Sequence, residues 1–198
     1  MIPLVIASGN AGKVREFAAL LADLPLAVRP QPEGLEVEET GATFAANARL
    51  KAEAVARATG CWALADDSGL AVEALGGEPG VRSARYAPTD PERIARLLAE
   101  LAAAGAVSPE RRGAAFVAAL ALADPDGTVR LAVEGRCEGV ITASPRGEGG
   151  FGYDPVFLVP ELGLTFAEMD KATKGRVGHR GRAFAALEPG LRGLLGAE

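Results

Sequence analysis

The segment Ala114–Arg136, AAFVAALALADPDGTVRLAVEGR, reads as two extended runs folded back on each other. Ala114 to Ala123 is almost wholly apolar, and Thr128 to Arg136 is the second run. Asp124-Pro125-Asp126-Gly127 stands between them. Asp-Gly between apolar runs is a strong hairpin signal, because the turn needs a residue that accepts positive φ. A hairpin following a chain that begins by alternating strand and helix predicts an α/β fold with a mixed sheet, not a purely doubly wound one.

The alternation lies N-terminal to the hairpin. Pro3 to Ser8 is a short apolar run that ends in a turn, and Ala11 to Leu24 carries Val14, Phe17, Ala18 and Leu21 at helical spacing. Leu26 to Arg29 is a second strand, and Glu33 to Thr43 an acidic loop or short strand. Phe44 to Thr59 is an Ala-rich helix stopped by Gly60. Trp62 to Ala65 is strand-like and runs into Asp66-Asp67-Ser68-Gly69, with a further strand at Leu70 to Leu75. Gly76 to Pro91 is loop, and Asp90-Pro91 reads as N-cap and first residue of a helix over Glu92 to Ala104. Beyond the hairpin come a Gly-rich loop, Gly147 to Gly152, a strand at Pro155 to Val159, and a partly helical end from Arg180 to Leu195.

The chain has 198 residues, 48% hydrophobic and 24% charged, which is an ordinary globular balance and fits a single domain, 1–198. Its net charge of −5 argues against nucleic acid as a partner. No apolar run reaches the ~18 residues of a membrane span, and the start of the chain lacks the pattern of a signal peptide. Cys61 and Cys137 make no disulfide framework. The expectation is a cytoplasmic protein with no membrane partner. Some polar types are scarce: Lys occurs only at 13, 51, 171 and 174, Asn only at 10 and 47, and His only at 179.

Five segments carry candidate chemistry. In Ser8-Gly9-Asn10-Ala11-Gly12-Lys13 a strand meets a helix, whose free N–H groups and dipole suit phosphate. The glycine spacing is not that of a Walker A loop, and an ordinary corner fits the spacing as well. Glu36-Val37-Glu38-Glu39 precedes a helix on which Asn47 and Lys51 share one face. Its carboxylates suit a hard cation or a solvated acidic loop. Adjacent Asp66 and Asp67 repel each other, a cost that a cation offsets, and the pleat sends them to opposite faces. A polar turn is the other reading of Asp-Asp-Ser-Gly. Gly147 to Pro155 matches G-x-G-x-x-G literally, but no helix follows and the dinucleotide reading is rejected. There Phe151 and Tyr153 suit the cover of a flat base. Finally, Lys171, Lys174, Arg176, Arg180 and Arg182 beside His179 suit an anionic ligand or a solvated helix face.

In this order the segments resemble the non-canonical purine nucleoside triphosphate pyrophosphatases, also called inosine/xanthosine triphosphate pyrophosphatases. The pattern T/S-G-N-x-x-K is matched at Ser8 to Lys13, E-T-G-x-T-F-x-x-N-A-x-x-K-A at Glu39 to Ala52, and A-D-D-S-G-L at Ala65 to Leu70. S-A-R-Y is matched at Ser83 to Tyr86, and G-G-F-G-Y-D-P at Gly149 to Pro155. In the last motif Ala167-Glu168-Met169, Lys174, His179 and Arg180 match, while Gly175 and Gly178 stand where Asn and Ser are usual.

The resemblance implies a two-lobed ITPase-like α/β fold with a long twisted mixed sheet and a central cleft, assembled as a homodimer. It implies Mg²⁺-dependent hydrolysis of ITP, dITP and XTP to monophosphate and pyrophosphate. Glu39 and Asp67 would hold the metal, and Asp67 would activate water. Ser8, Gly9, Asn10, Ala11, Gly12, Lys13, Lys51 and Ser68 would line the phosphate path. Phe151, Gly152, Tyr153, Asp154, Lys174, His179 and Arg180 would meet the base and sugar. The competing readings are a broader nucleotide phosphohydrolase and a non-catalytic nucleotide sensor.

Overall fold

A computed structural model describes residues 1–196. The strands are β1 (Ile2–Ile6), β2 (Leu26–Pro30), β3 (Trp62–Val72), β4 (Gly113–Ala123), β5 (Val129–Ile141), β6 (Phe157–Val159) and β7 (Leu164–Thr165). The helices are α1 (Ala11–Leu20), α2 (Phe44–Thr59), α3 (Asp90–Ala103), α4 (Lys171–Val177) and α5 (His179–Leu195). The sheet order is β2-β1-β3-β4-β5-β6-β7. β1 pairs parallel with β2 and β3, whereas β5–β6 and β6–β7 are antiparallel, so the sheet is mixed as expected. No described helix is long and apolar enough to cross a membrane.

The chain divides into two compact units. The first comprises residues 1–67, 118–135 and the segment from Ala183 onward. Here period-2 alternation sorts the strands onto two apolar faces. Leu4, Ile6, Leu64, Ala118, Leu120 and Leu122 pack with Phe17 of α1, with Leu21 just past its end, and with Phe184, Leu187 and Leu191 of α5. Val5, Ala63, Ala65, Ala119, Ala121 and Ala123 pack with Ala48, Ala52, Val55 and Ala56 of α2. Alanine on both sides of that second contact lets α2 lie close to the sheet. The second unit comprises residues 68–117 and 136–182. Its core joins Ile94, Leu97 and Leu101 of α3 to Leu70, Val72, Phe116, Phe157 and Phe166.

Several boundaries differ from the sequence reading. β3 runs unbroken through Asp66-Asp67-Ser68-Gly69, where a strand end or a polar turn was open and a further strand was expected only from Leu70. Lys13 pairs with Asp66, Lys51 with Asp67 and Arg180 with Ser68, and packing overrides the turn propensity of these residues. β5 continues past Arg136 to Ile141 with alternate residues still buried. Within it Gly139 lies so near Phe157 that a Cβ would sit 2.5 Å from the ring. The cap of α3 is Thr89, not Asp90: its hydroxyl accepts from Glu92 N, and the Glu92 carboxylate returns to the Thr89 amide. The C-terminal segment is a full helix, although Pro189 lies inside it.

The hairpin turn rests on one carboxylate. Asp124 Oδ1 accepts from the amides of Asp126 and Thr128 at 3.1 and 3.0 Å, and Oδ2 pairs with Arg130 at 2.6 Å. Gly127 supplies the left-handed residue, φ 79°. The Thr128 amide, and then the Arg130 charge, hold the Asp124 pKa below the usual aspartate value. A depressed folded pKa contributes stability above the unfolded value and loses it as pH falls through the folded one. We therefore expect Asp124→Asn to flatten the fall in unfolding free energy between about pH 5 and pH 2, measured by urea denaturation against the parent chain.

Candidate active site

The continuation of β3 through its acidic pair decides where the carboxylates go. Asp66 is two residues beyond Leu64 and shares its face, the side of α1; Asp67 follows Ala65 onto the side of α2. Each meets a lysine there. Lys13 Nζ, from α1, lies 2.8 Å from Asp66 Oδ2. Lys51 Nζ, from α2, makes three hydrogen bonds: to Glu39 Oε1 at 2.9 Å, to the Asp66 carbonyl at 2.9 Å and to Asp67 Oδ1 at 3.0 Å. An ammonium has three protons, so Lys51 is saturated by protein oxygen and braces the two carboxylates.

Asn47, one turn before Lys51, serves the same cluster indirectly. Its Oδ1 accepts the Gly41 amide at 2.7 Å. A Cβ on Gly41 would lie 2.6 Å from that oxygen, so only glycine permits the approach. The bond fixes the chain just after Glu39. Sequence reasoning put Asn47 on the right helix face but did not find this positioning role; the scarcity of asparagine was the available signal. Asp67 Oδ2 and Asn47 Nδ2 are buried without a hydrogen bond of regular geometry among the described residues. The Asn47 amide is still near enough to favour the charged form of Asp67 weakly.

Burial pushes the Asp67 carboxyl above the usual aspartate pKa; Lys51 opposes this, while the Glu39 charge adds to it. Burial also works against the Lys51 charge, but Asp67 and Glu39 outweigh it and the ammonium pKa is raised. The donor set suits a hard cation. Mg²⁺ is commonly held by one or two carboxylates together with substrate phosphate and water, and Glu39 with Asp67 is such a pair. Among the described residues no group of three or more His, Cys, Asp or Glu forms a metal cluster.

The Ser8–Lys13 loop is more occupied than its composition implies. Asn10 caps α1, accepting from the amides of Gly12 and Lys13 at 2.8 and 3.2 Å, and its own amide donates to Ser8 Oγ at 3.1 Å. Gly9, Asn10, Ala11 and Gly12 are exposed, while Ser8 and Lys13 are half-buried. Several of the amides expected to be free for phosphate are thus capped by the loop itself.

In the second unit Phe151 is 54% exposed, with Lys174 Nζ 5.2 Å and Arg180 Cζ 5.7 Å from its ring centroid. Arg180 also donates to Ser68 Oγ at 2.9 Å. Asp154 is buried and its Oδ2 accepts from the Phe151 amide and from Lys174. His179 is buried too, its ring stacked on Phe116 at 4.8 Å between centroids. Tyr153 corrects the sequence reading. Expected to cover a base, it is 4% exposed, and its hydroxyl donates to the Ser83 carbonyl at 2.8 Å, so it is a core residue of this unit. The basic run also divides: Lys174 and Arg180 join the cluster, while Lys171, Arg176 and Arg182 face solvent. Of the two departures from the motif, Gly175 has open space around it. At Gly178 a Cβ would stand 2.5 Å from the Lys174 carbonyl.

The mixed α/β sheet thus carries paired acids in mid-strand, each gripped by a lysine from a different flanking helix. In a comparison with known proteins the Ham1 family model matches residues 4–189, and the chain belongs to the Ham1 family. It is 64% identical over 198 residues to a dITP/XTP pyrophosphatase from Parasynechococcus marenigrum, covering all of this chain and 99% of the relative. A protein of the same name from Nostoc sp. is 56% identical over 192 residues, 97% of this chain and 95% of that one. Among solved structures, a HAM1 protein from Coxiella burnetii superposes with a TM-score of 0.89 at 43% identity, covering 96% of this chain and 98% of the other. A nucleoside-triphosphatase / dITP/XTP pyrophosphatase from Mycobacterium abscessus gives 0.77 at 44% identity, covering 95% and 100%.

The bracing role of Lys51 has a direct test. Lys51→Met keeps the aliphatic stem and removes the charge. We expect a loss of about 3 kcal/mol in unfolding free energy, because a buried carboxylate is left without its counter-ion. Urea denaturation measures it, and a variant as stable as the parent contradicts the bracing.

Proposed function

We propose that the chain hydrolyses the deaminated purine nucleoside triphosphates ITP, dITP and XTP to the monophosphate and pyrophosphate, which clears them from the nucleotide pool. The observation that carries the reading is the Glu39–Lys51–Asp67 cluster: two carboxylates held in register by one half-buried ammonium. The names of relatives at 64% and 56% identity over nearly the whole chain support the same reaction.

The residues divide the work. Asp67 orients the attacking water and accepts its proton. Glu39 and Asp67 fit Mg²⁺, which when bound offsets charge on the phosphoryl oxygens and on the leaving pyrophosphate. Lys51 keeps the two carboxylates from drifting apart. Lys13, held over the strand by Asp66, adds positive charge beside the start of α1. Phe151 offers its exposed face to a purine ring, and Lys174 and Arg180 bring donors to its rim. Hypoxanthine and xanthine carry a 6-oxo acceptor and an N1–H donor, whereas adenine carries an amino group and a bare N1. Donors from Arg180 or His179 with Asp154 as acceptor suit the first pattern and leave buried groups unpaired against the second. A mismatch of this kind is worth up to ~10⁴–10⁵ in kcat/KM. A homodimer is part of the proposal on family resemblance, and a cytoplasmic location on the absence of an apolar run of membrane-spanning length and of a signal-peptide pattern in the sequence.

A panel of nucleoside triphosphates with Mg²⁺, scored for monophosphate and pyrophosphate, tests the reading. ITP, dITP and XTP are expected to exceed ATP and GTP by at least ~10²-fold in kcat/KM. Orthophosphate as product indicates a different phosphohydrolase, and tight ITP binding with no turnover a sensor. In the same assay Asp67→Asn is expected to lower kcat by at least ~10²-fold, the low end for a positioned base, with its circular dichroism unchanged. A folded Asp67→Asn protein with normal kcat removes Asp67 from the chemistry.

A further inference from the structure

The loop that presents Phe151 is tied down from outside itself. The Gly152 amide donates to Asp90 Oδ2 at 2.7 Å, across 62 residues of sequence. The other oxygen, Asp90 Oδ1, accepts from Arg93 at 2.7 Å. Asp90 is free for this duty because Thr89 caps α3 with a complete capping box. Gly152 is in the left-handed region, φ 62°, and flanked by Gly149, Gly150 and a proline two residues past Tyr153. A glycine there has many alternatives to that conformation and needs an external hold. The exposed Phe151 ring is held little by packing, so the course of its backbone sets its direction. That course is fastened by the Phe151 amide on Asp154 at 3.0 Å, the Asp154 amide on the Phe151 carbonyl at 3.2 Å, the Gly149 amide on the Ala167 carbonyl at 3.1 Å and the Gly152 amide on Asp90.

We infer that Asp90 is a positioning residue for purine recognition: by gripping the Gly152 amide it keeps the Phe151 ring beside Lys174 and Arg180, prepared for a base. This rests on the reading of Phe151 as the base-stacking residue. The consequence is specific. Holding the loop before binding removes an ordering cost that would otherwise fall on association. The stack is the same in the bound substrate and in the transition state, so its loss appears in KM and spares kcat. A role confined to α3, through the Arg93 ion pair or the helix dipole, affects stability and leaves KM alone.

The experiment compares Asp90→Ala, Asp90→Asn and Thr89→Ala with the parent chain. Each is measured by ITP kinetics, thermal melting and hydrogen exchange of the peptide covering residues 149–154. Asp90→Ala is expected to raise KM ~10-fold with kcat within about twofold, the scale of one charge-assisted hydrogen bond, and to speed exchange in that peptide. Asp90→Asn, which keeps an acceptor oxygen, is expected to restore most of both. Thr89→Ala weakens the same helix start and is expected to lower Tm without moving KM or the exchange of 149–154. An Asp90→Ala protein with parental KM, or one whose KM rises no more than that of Thr89→Ala, overturns the positioning role. So does an Asp90→Asn protein no better than Asp90→Ala. Should the parent chain fail to hydrolyse ITP, the functional reading fails by itself, and exchange still decides whether Asp90 holds the loop.

Discussion

The architecture of the site depends on two carboxylates in the middle of a buried strand. Asp66 and Asp67 are 3% and 8% exposed, and burying two adjacent acids in a sheet is costly unless each is paired. The strand geometry solves this by separating them: successive side chains leave β3 on opposite faces, and a helix on each face supplies a lysine. Because β3 remains a strand there, Asp67 and Ser68 keep the pleated spacing. The start of α1 and the whole of α2 are then obliged to lie where Lys13 and Lys51 reach their partners.

That constraint explains features that otherwise look unrelated. The alanines on α2 and on the strands beneath it bring the helix near enough for the Lys51 ammonium to bond the Asp66 carbonyl as well as two carboxylates. Gly41 and Asn47 secure the segment that delivers Glu39. In the second unit the logic is different. An exposed aromatic ring on a glycine-rich loop has little packing to hold it, so hydrogen bonds donated by the loop amides to Asp154 and Asp90 take over that task. Gly150 permits this: a Cβ there would collide with the Asp154 carboxylate.

Much of this was legible in the residues. The hairpin followed from Asp-Gly between extended runs, and the helix over Phe44 to Thr59 from its composition and the glycine that ends it. The opposite facing of Asp66 and Asp67 followed from the pleat. Local propensity left the rest open: Asp-Asp-Ser-Gly fits a turn as well as a strand because its partners are distant in sequence, and β5 reads as short because glycine carries no pattern. Tyr153 reads as a ligand-facing aromatic because sequence does not reveal that its hydroxyl has a buried carbonyl to meet.

The sequence by itself determined the residue types, their spacing along each element, and the family to which they point. It determined that a strand–helix corner, a helix with Asn47 and Lys51 on one face, and an acidic pair occur in that order, because periodicity and capping are local properties. The tertiary structure alone decided which of these polar groups meet. Lys51 bonds oxygens twelve to sixteen residues away, and Asp90 an amide 62 residues away. Such pairings depend on how faces of helices and strands stack, and that depends on volume and burial summed over the whole core, which no short window of sequence contains.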